Sequence, residues 1–408
     1  RYRKDDTTRF VYVSEGCKVD IIPDRDVETK AKEVMKSYLN NSLYYGDEGL
    51  LNAISTSRGL NAKTLSEIPM TDINFRSYGE DFDYFFFGNT AVRVTADEVR
   101  SVPYAQMPYM VNRKAILDEV HYGYEDMSRY FVIKPNPMME SIRKQYRAET
   151  YHLTGEELLR KKRAFRQYEA THRYILQWNT PLEKCPPLIQ CIYDMSRIYW
   201  RKEEMGCELN PEERQFQDMH FVNKILGLGY MLSRYRTDTR QQMVMVTDYS
   251  VAQEGKASGR NGKSMFTFLL DLVRRNMYVS GKDYRKNPGD MAKNFCDFQL
   301  TVQSAVIIDD LDAGVDAESF YNNTSRLSVR NLYENTVRLS PEETPKMIIS
   351  MNSPFDLASP STYGRTWPIF LSDYYHEDGL STDEERRTPE TKFGYHITKG
   401  CSDEESRL

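Results

Sequence analysis

The chain has 408 residues, 40% of them hydrophobic, with 55 Lys and Arg against 60 Asp and Glu for a net charge of −5. That length suits about two to three domains with real cores, and the mild acidic balance excludes a generally basic nucleic-acid binder, so any polyanion contact must come from local patches. No apolar run approaches the roughly 18 residues of a membrane span and no leader-like segment opens the chain, so we expect a soluble cytoplasmic protein with no membrane partner.

In chain order, Phe10–Val13 and Val19–Ile22 read as short strands and Val27–Asn40 as a helix. Asp24-Arg-Asp26 is similar to a paired acidic site, but no histidine lies near and a helix follows at once, so helix capping is expected. Tyr84–Phe87, Gly88-Asn89 and Ala91–Thr95 read as a hairpin, the Gly-Asn pair tolerating positive φ. From Met138 the pattern turns helical: Met138–Tyr151, Gly155–Trp178, Pro187–Glu204 and Pro211–Tyr235 carry apolar residues at helical spacing. Thr154-Gly-Glu-Glu157 has the form of a capping box. After Arg240 strands and helices alternate, as in a parallel α/β sheet, ending with the strand Trp367–Leu371. Beyond Asp378 the composition is polar and charged, and a flexible tail is expected. The expected divisions are a mixed α+β region over 1–137, a helical linker or collar over 138–236, an α/β domain over 237–378 and the tail over 379–408. The six cysteines show no Cys-x-x-Cys pair or zinc spacing and the six histidines no cluster, so free thiols and no zinc are expected.

The most informative stretch is Ala257-Ser-Gly-Arg-Asn-Gly-Lys-Ser264, between an apolar strand at Met243–Thr247 and a helix at Met265–Val273. It fits a phosphate-binding loop in which Gly259, Arg260, Asn261, Gly262, Lys263, Ser264 and Met265 hold the nucleotide, except that Ala257 stands where such loops carry their first glycine. Lys263 is placed to neutralise phosphate charge and Ser264 to ligate Mg²⁺. Three elements follow. Ala305-Val-Ile-Ile-Asp309-Asp310 is an apolar strand ending in two carboxylates; Asp309 suits the metal and Asp310 the polarisation of an attacking water. Alone, such a strand also fits a solvated acidic turn. Lys346–Asn352 is a second apolar strand ending in a polar amide, which either orients water beside the terminal phosphate or opens the turn before Pro354. Arg365 reads either as a solvated loop residue or as a finger that reaches a neighbouring subunit's nucleotide.

This order of motifs resembles the A, B, B′ and C motifs of superfamily III helicases, and more narrowly the helicase part of poxvirus-type, phage and plasmid primase-helicases. Ser372-Asp-Tyr-Tyr-His376 is similar to the end of that module, and Phe221–Tyr230 to the segment before it. The resemblance covers about residues 215–376. It implies an AAA+-type P-loop ATPase using ATP and Mg²⁺. It also implies assembly into a homo-hexameric ring that translocates on single-stranded DNA, with a possible primase domain or partner. Lys263, Asp310, Asn352 and Arg365 carry over as catalytic residues, Ser264 and Asp309 as metal ligands. The hairpin over Ser328–Leu339, with Arg330 and Arg338 flanking a tip at Glu334-Asn335, carries over as the DNA-contacting element; Arg326 and Lys346 add local positive charge.

Arg160-Lys-Lys-Arg163 with Arg166 is the densest basic run, and fits either an exposed helix face or a phosphate contact on the collar. The expected function is an ATP-dependent DNA helicase module of a replication protein. Two alternatives stand beside it. One is a P-loop NTPase with another mechanical task, such as packaging or initiator loading; the other is a nucleotide-binding scaffold with little turnover.

Overall fold

A computed structural model describes residues 2–4, 7–237, 239, 241–249, 261–284, 291–330, 336–355, 357, 359–376, 387–395 and 397. They form two compact units, one of residues 1–122 with 299–302, the other of 123–298 with 303–408. The helical stretch and the parallel sheet thus belong to one unit.

In the first unit, β1 (Tyr2–Lys4), β2 (Thr7–Ser14) and β3 (Lys18–Ile22) run antiparallel, and a short strand, β7 (Val111–Asn112), lies parallel to β3. Glu15 and Gly16, both at positive φ, make the tight β2–β3 turn. The helix α1 (Val27–Asn40) follows, then α2 (Glu48–Thr56), whose first turn is capped by Asp47 through the Leu50 amide. Asp24–Asp26 form a 3₁₀ turn ahead of α1, and Asp26 makes no side-chain capping bond, contrary to the capping role expected for it. A three-stranded antiparallel sheet, β4 (Asp83–Phe86), β5 (Ala91–Val94) and β6 (Val99–Val102), packs Tyr84, Phe86, Ala91 and Val102 with Tyr104, Val111 and Ile116. Neither Gly88 nor Asn89 in its hairpin lies at positive φ. Glycine is needed there for another reason: a Cβ on Gly88 would sit 2.3 Å from the Asp118 carbonyl oxygen.

The second unit begins with an antiparallel ribbon, β8 (Phe131–Pro135) with β9 (Tyr174–Trp178). Two helices fill the connection, α3 (Met139–Thr150) and α4 (Gly155–His172). The helix expected to run from Gly155 to Trp178 therefore ends at His172. Ile175, Leu176 and Trp178 suit either period, and pairing with Phe131–Pro135 decides for the strand. Thr154 makes no side-chain capping bond, so the expected capping box is absent. The expected helix over Pro187–Glu204 is two, α5 (Pro187–Asp194) and α6 (Trp200–Glu204), broken by a turn in which Ser196 Oγ bonds back to the Ile192 carbonyl. The long α7 (Pro211–Leu232) opens with a true capping box, Asn210 with Glu213. Lys346, read from sequence as local positive charge near the hairpin, is buried instead. Its ammonium donates to the Tyr230 and Ser233 carbonyls (2.7 and 2.6 Å), closing the C-terminal end of α7.

The centre of this unit is a five-stranded, wholly parallel sheet: β10 (Met243–Asp248), β11 (Met277–Ser280), β12 (Ala305–Leu311), β15 (Lys346–Met351) and β16 (Thr366–Leu371). Their order is β11-β12-β15-β10-β16. Every residue of β10 and β15 is buried, as strands covered on both faces require, and this explains their near-continuous apolar runs. The layering is mixed α/β, with helices on a wholly parallel sheet. Between β12 and β15 lie α9, numbered after a helix α8 (Lys263–Phe268), at Glu318–Ser325, and a small hairpin, β13 (Ser328–Val329) with β14 (Val337–Arg338). The tip expected at Glu334-Asn335 lies outside the described residues. A short α10 (Pro360–Arg365) leads into β16. The expected flexible tail contains a helix, α11 (Pro389–Phe393), whose Lys392 ammonium reaches the buried Asp194 carboxylate at 2.6 Å. Among the described residues no helix is long and apolar enough to cross a membrane.

Candidate functional site

In a parallel sheet all strands end at the same edge, and it is there that Lys263, Ser264, Asp309, Asp310 and Asn352 collect. β10 ends at Asp248, which is 0% exposed. Gly262 stands immediately before α8 at φ +84°, a left-handed conformation that a side chain disfavours, and an added Cβ would come to 3.0 Å from Met195 Cε. Lys263, the first residue of α8, turns back into the fold: its ammonium donates to Asp248 Oδ2 over 2.6 Å. Asn261 is buried and Met265 half-buried against the core. Ala257, Gly259 and Arg260 lie outside the described residues.

The paired carboxylates of β12 sit in a β-bulge. Ile308 pairs with Ile349 and Leu311 with Met351, so Asp309 and Asp310 together face one residue, Ser350. Asp310 adopts φ +55°, which a short polar side chain tolerates better than a branched one. In a regular strand, consecutive side chains point to opposite faces; the bulge lets both acids engage the end of β15. Ser264 Oγ donates to Asp309 Oδ1 (2.8 Å), as does Ser350 Oγ, which also accepts from the Asp310 amide (2.8 Å). Asn352 Nδ2 donates to Asp310 Oδ1 over 3.1 Å. Because β15 lies between β10 and β12, Ser350 and Asn352 come between the Lys263–Asp248 pair and the two carboxylates.

The edge strand β11 supplies the far side. The Gly281 amide donates to the Asp309 carbonyl over 2.6 Å, and a Cβ on Gly281 would meet the Leu311 backbone at 2.4 Å, so only glycine permits this approach. Lys282, 73% exposed, places its ammonium 2.7 Å from Asp310 Oδ2, and that hydrogen bond holds its pKa above the ordinary lysine value. The Tyr278 hydroxyl lies 3.4 Å from Asp309 Oδ2; burial, then the Asp309 charge, push its pKa up.

Arg365 is exposed at the end of α10, its guanidinium 4.4 Å over the Tyr321 ring, and makes no bond to the strand-edge cluster. Arg330 and Arg338 are both exposed at the base of the β13–β14 hairpin, away from the cluster in sequence and in partners.

Four residues of the edge escape motif reading: Asp248, Lys282, Ser350 and Tyr278. Two had a signal. Asp248 is an acid closing an apolar strand just ahead of the glycine-rich loop, and Ser350 is a lone hydroxyl inside Met-Ile-Ile-Ser-Met. Lys282 and Tyr278 have none, because β11 is four residues long and carries no extended apolar run.

No family model matches this chain, and no curated protein matches it. Among solved structures the chain is similar to a JCV helicase in complex with a substituted phenyl acetamide, at 15% identity and a TM-score of 0.24, over 57% of each chain. It is also similar to the apo C-terminal region of NrS-1, at 11% identity and a TM-score of 0.25, over 74% of this chain and 62% of that one. The chain thus spans less than two thirds of either.

Proposed function

We propose that this chain is the motor of an ATP-dependent DNA helicase of the superfamily III kind. It would have an AAA+-type fold that hydrolyses ATP and moves along single-stranded DNA as a ring of identical subunits, in a phage- or plasmid-type replication protein. The observation that carries the reading is the meeting of three chain segments at one sheet edge: Ser264 with Asp309 at 2.8 Å, and Asn352 with Asp310 at 3.1 Å, beside Lys263.

The donors fit Mg²⁺. Ser264 and Asp309 offer hard oxygens only, and this cation binds through one or two such protein groups, phosphate and water rather than a protein cage. When bound, it would neutralise phosphate charge. Lys263 would add a cation to the phosphates on leaving Asp248, and Gly262 would let the backbone approach. Asp310 Oδ1 would accept a proton from an attacking water, with Asn352 fixing the carboxylate and, through its amide, the water. Arg365 belongs to no cluster of its own subunit's edge, which suits a group that acts on the neighbouring subunit. Arg330 and Arg338 are exposed, and in this reading they would meet DNA phosphate.

The test is Asp310→Asn. Nucleotide affinity should hold while ATP turnover drops by about 10² or more, and single-stranded DNA should stimulate the wild type only. Equal turnover in both proteins removes Asp310 from the chemistry. ATP binding with no wild-type turnover favours the scaffold reading, and turnover indifferent to single strands favours another mechanical task.

A further inference from the structure

The α3–α4 pair is strongly basic within an acidic chain: between Met139 and Arg173 there are nine Lys and Arg, five Glu and no Asp. The inner faces of the two helices are clamped together. Tyr146 stacks on Phe165 with ring centroids 4.0 Å apart, and Arg143 Nε donates to Glu169 Oε1 over 2.7 Å. Lys161 approaches Glu149 at 3.9 Å. With those contacts made, the remaining cations of α4 are left on its outer face. Arg160, Arg163 and Arg166 follow at every third position with Lys162 beside them, and all four are exposed. Glu156 and Glu157, in the first turn, are the acids that precede this stripe, four and three positions before Arg160, and neither lies within ion-pair distance of it. Among the described residues, Arg160, Lys162 and Arg163 have no carboxylate within ion-pair distance. Arg166 lies 4.7 Å over the ring of Tyr363, on α10.

Like charges three and four positions apart on a helix repel one another, and among the described residues no ion pair offsets that repulsion at Arg160, Lys162 or Arg163. A polyanion does. We propose that the outer face of α4 binds the phosphate backbone of a single-stranded nucleic acid, with Arg160, Lys162 and Arg163 on phosphates. The choice of a single strand follows from the dimensions and the neighbours. The stripe from Arg160 to Arg166 is about 9 Å long, from the helical rise per residue, and so fits two to three nucleotides of one strand. Tyr168 and Tyr363, 40% and 42% exposed, flank it; one face of each ring is taken, by His172 and by Arg166, and the other face offers a surface for base stacking, which a duplex cannot use. The inference rests on the nucleic-acid half of the proposed function and adds a contact surface outside the β13–β14 hairpin.

The experiment uses the full chain without nucleotide, titrated into a fluorescein-labelled oligothymidylate, read by anisotropy over a salt series. Arg160→Ala with Lys162→Ala and Arg163→Ala should raise Kd about tenfold or more at low salt and reduce the slope of log affinity against log salt by about 2. The charge-keeping Arg160→Lys with Arg163→Lys should retain the wild-type slope. Circular dichroism and the urea midpoint should match wild type throughout, since these side chains are exposed. A triple variant with wild-type Kd and slope overturns the assignment and leaves the motor reading intact. Wild-type binding to duplex of equal length as tight as to the single strand overturns it as well. A wild type that binds no strand at all sinks both readings, while its ATP turnover still reports on the strand-edge site by itself.

Discussion

Ser350 ties Asp309 to Asp310: its hydroxyl donates to the Asp309 carboxylate and accepts from the Asp310 backbone amide at 2.8 Å. The serine thus fixes both the acid suited to a cation and the bulge that turns its neighbour. Ser350→Ala should keep the fold, with a loss of about 1 kcal/mol for the bonds removed. It should also raise the magnesium concentration needed for half-maximal ATP turnover by about 10- to 100-fold, the usual penalty for removing a group that orients a metal ligand. An unchanged magnesium titration would remove Ser350 from the site.

Lys263 is 10% exposed and its partner Asp248 is 0% exposed, so replacing the lysine leaves a buried carboxylate without its cation. Lys263→Ala should therefore destabilise the chain by about 3–5 kcal/mol in addition to abolishing turnover. Lys263→Met combined with Asp248→Asn should recover most of that stability and none of the turnover. Urea unfolding of the three proteins checks this; a single variant as stable as wild type contradicts the pairing.

Lys224 of α7 is fully buried, its ammonium donating to the Phe370 carbonyl over 2.7 Å, and burial pushes its pKa down to about 7. The unfolded chain keeps that proton up to the ordinary lysine range. Above pH 7 the unfolded state is therefore the one that binds more protons, and stability rises with pH. As pH falls toward 7 the gain is lost. The buried thiols Cys17, Cys185 and Cys191, all with raised pKa values, act in the opposite sense only once unfolded thiols ionise, so the clean window is about pH 7 to 8.5. Within it the wild type should gain about 1 kcal/mol per pH unit. Lys224→Met should flatten the profile and raise stability at pH 7. A wild-type urea midpoint that stays level or falls across the window counts against a depressed Lys224.

What the sequence discloses and what it withholds divide along physical lines. β10, β12 and β15 lie inside the sheet and are buried along their apolar stretches, so each appears as an apolar run with polar residues at or just past its carboxyl end, and Lys263, Ser264, Asp309, Asp310 and Asn352 can be grouped from the order of those runs. β11 alternates more and less buried residues over only four positions, too few to register as a pattern, and Gly281 and Lys282 therefore carry no sequence signal. Tyr174–Trp178 satisfies helical and strand spacing alike; only its partner strand, some forty residues earlier, decides. The bulge at Asp309-Asp310 depends on a serine forty residues later, and no local pattern contains that information.

The bond from Lys392 to Asp194 spans 198 positions, and Asp194 is 1% exposed. Tyr375 donates to the same carboxylate oxygen over 2.6 Å, and the next residue, Met195, abuts Gly262. During synthesis, Asp194 leaves the ribosome long before either partner exists. At roughly 5–20 residues per second the carboxylate waits on the order of ten seconds or more for its lysine. Gly262 thus acquires its final backing late, and a chain that ends before position 375 would hold every strand of the sheet while lacking the brace behind it.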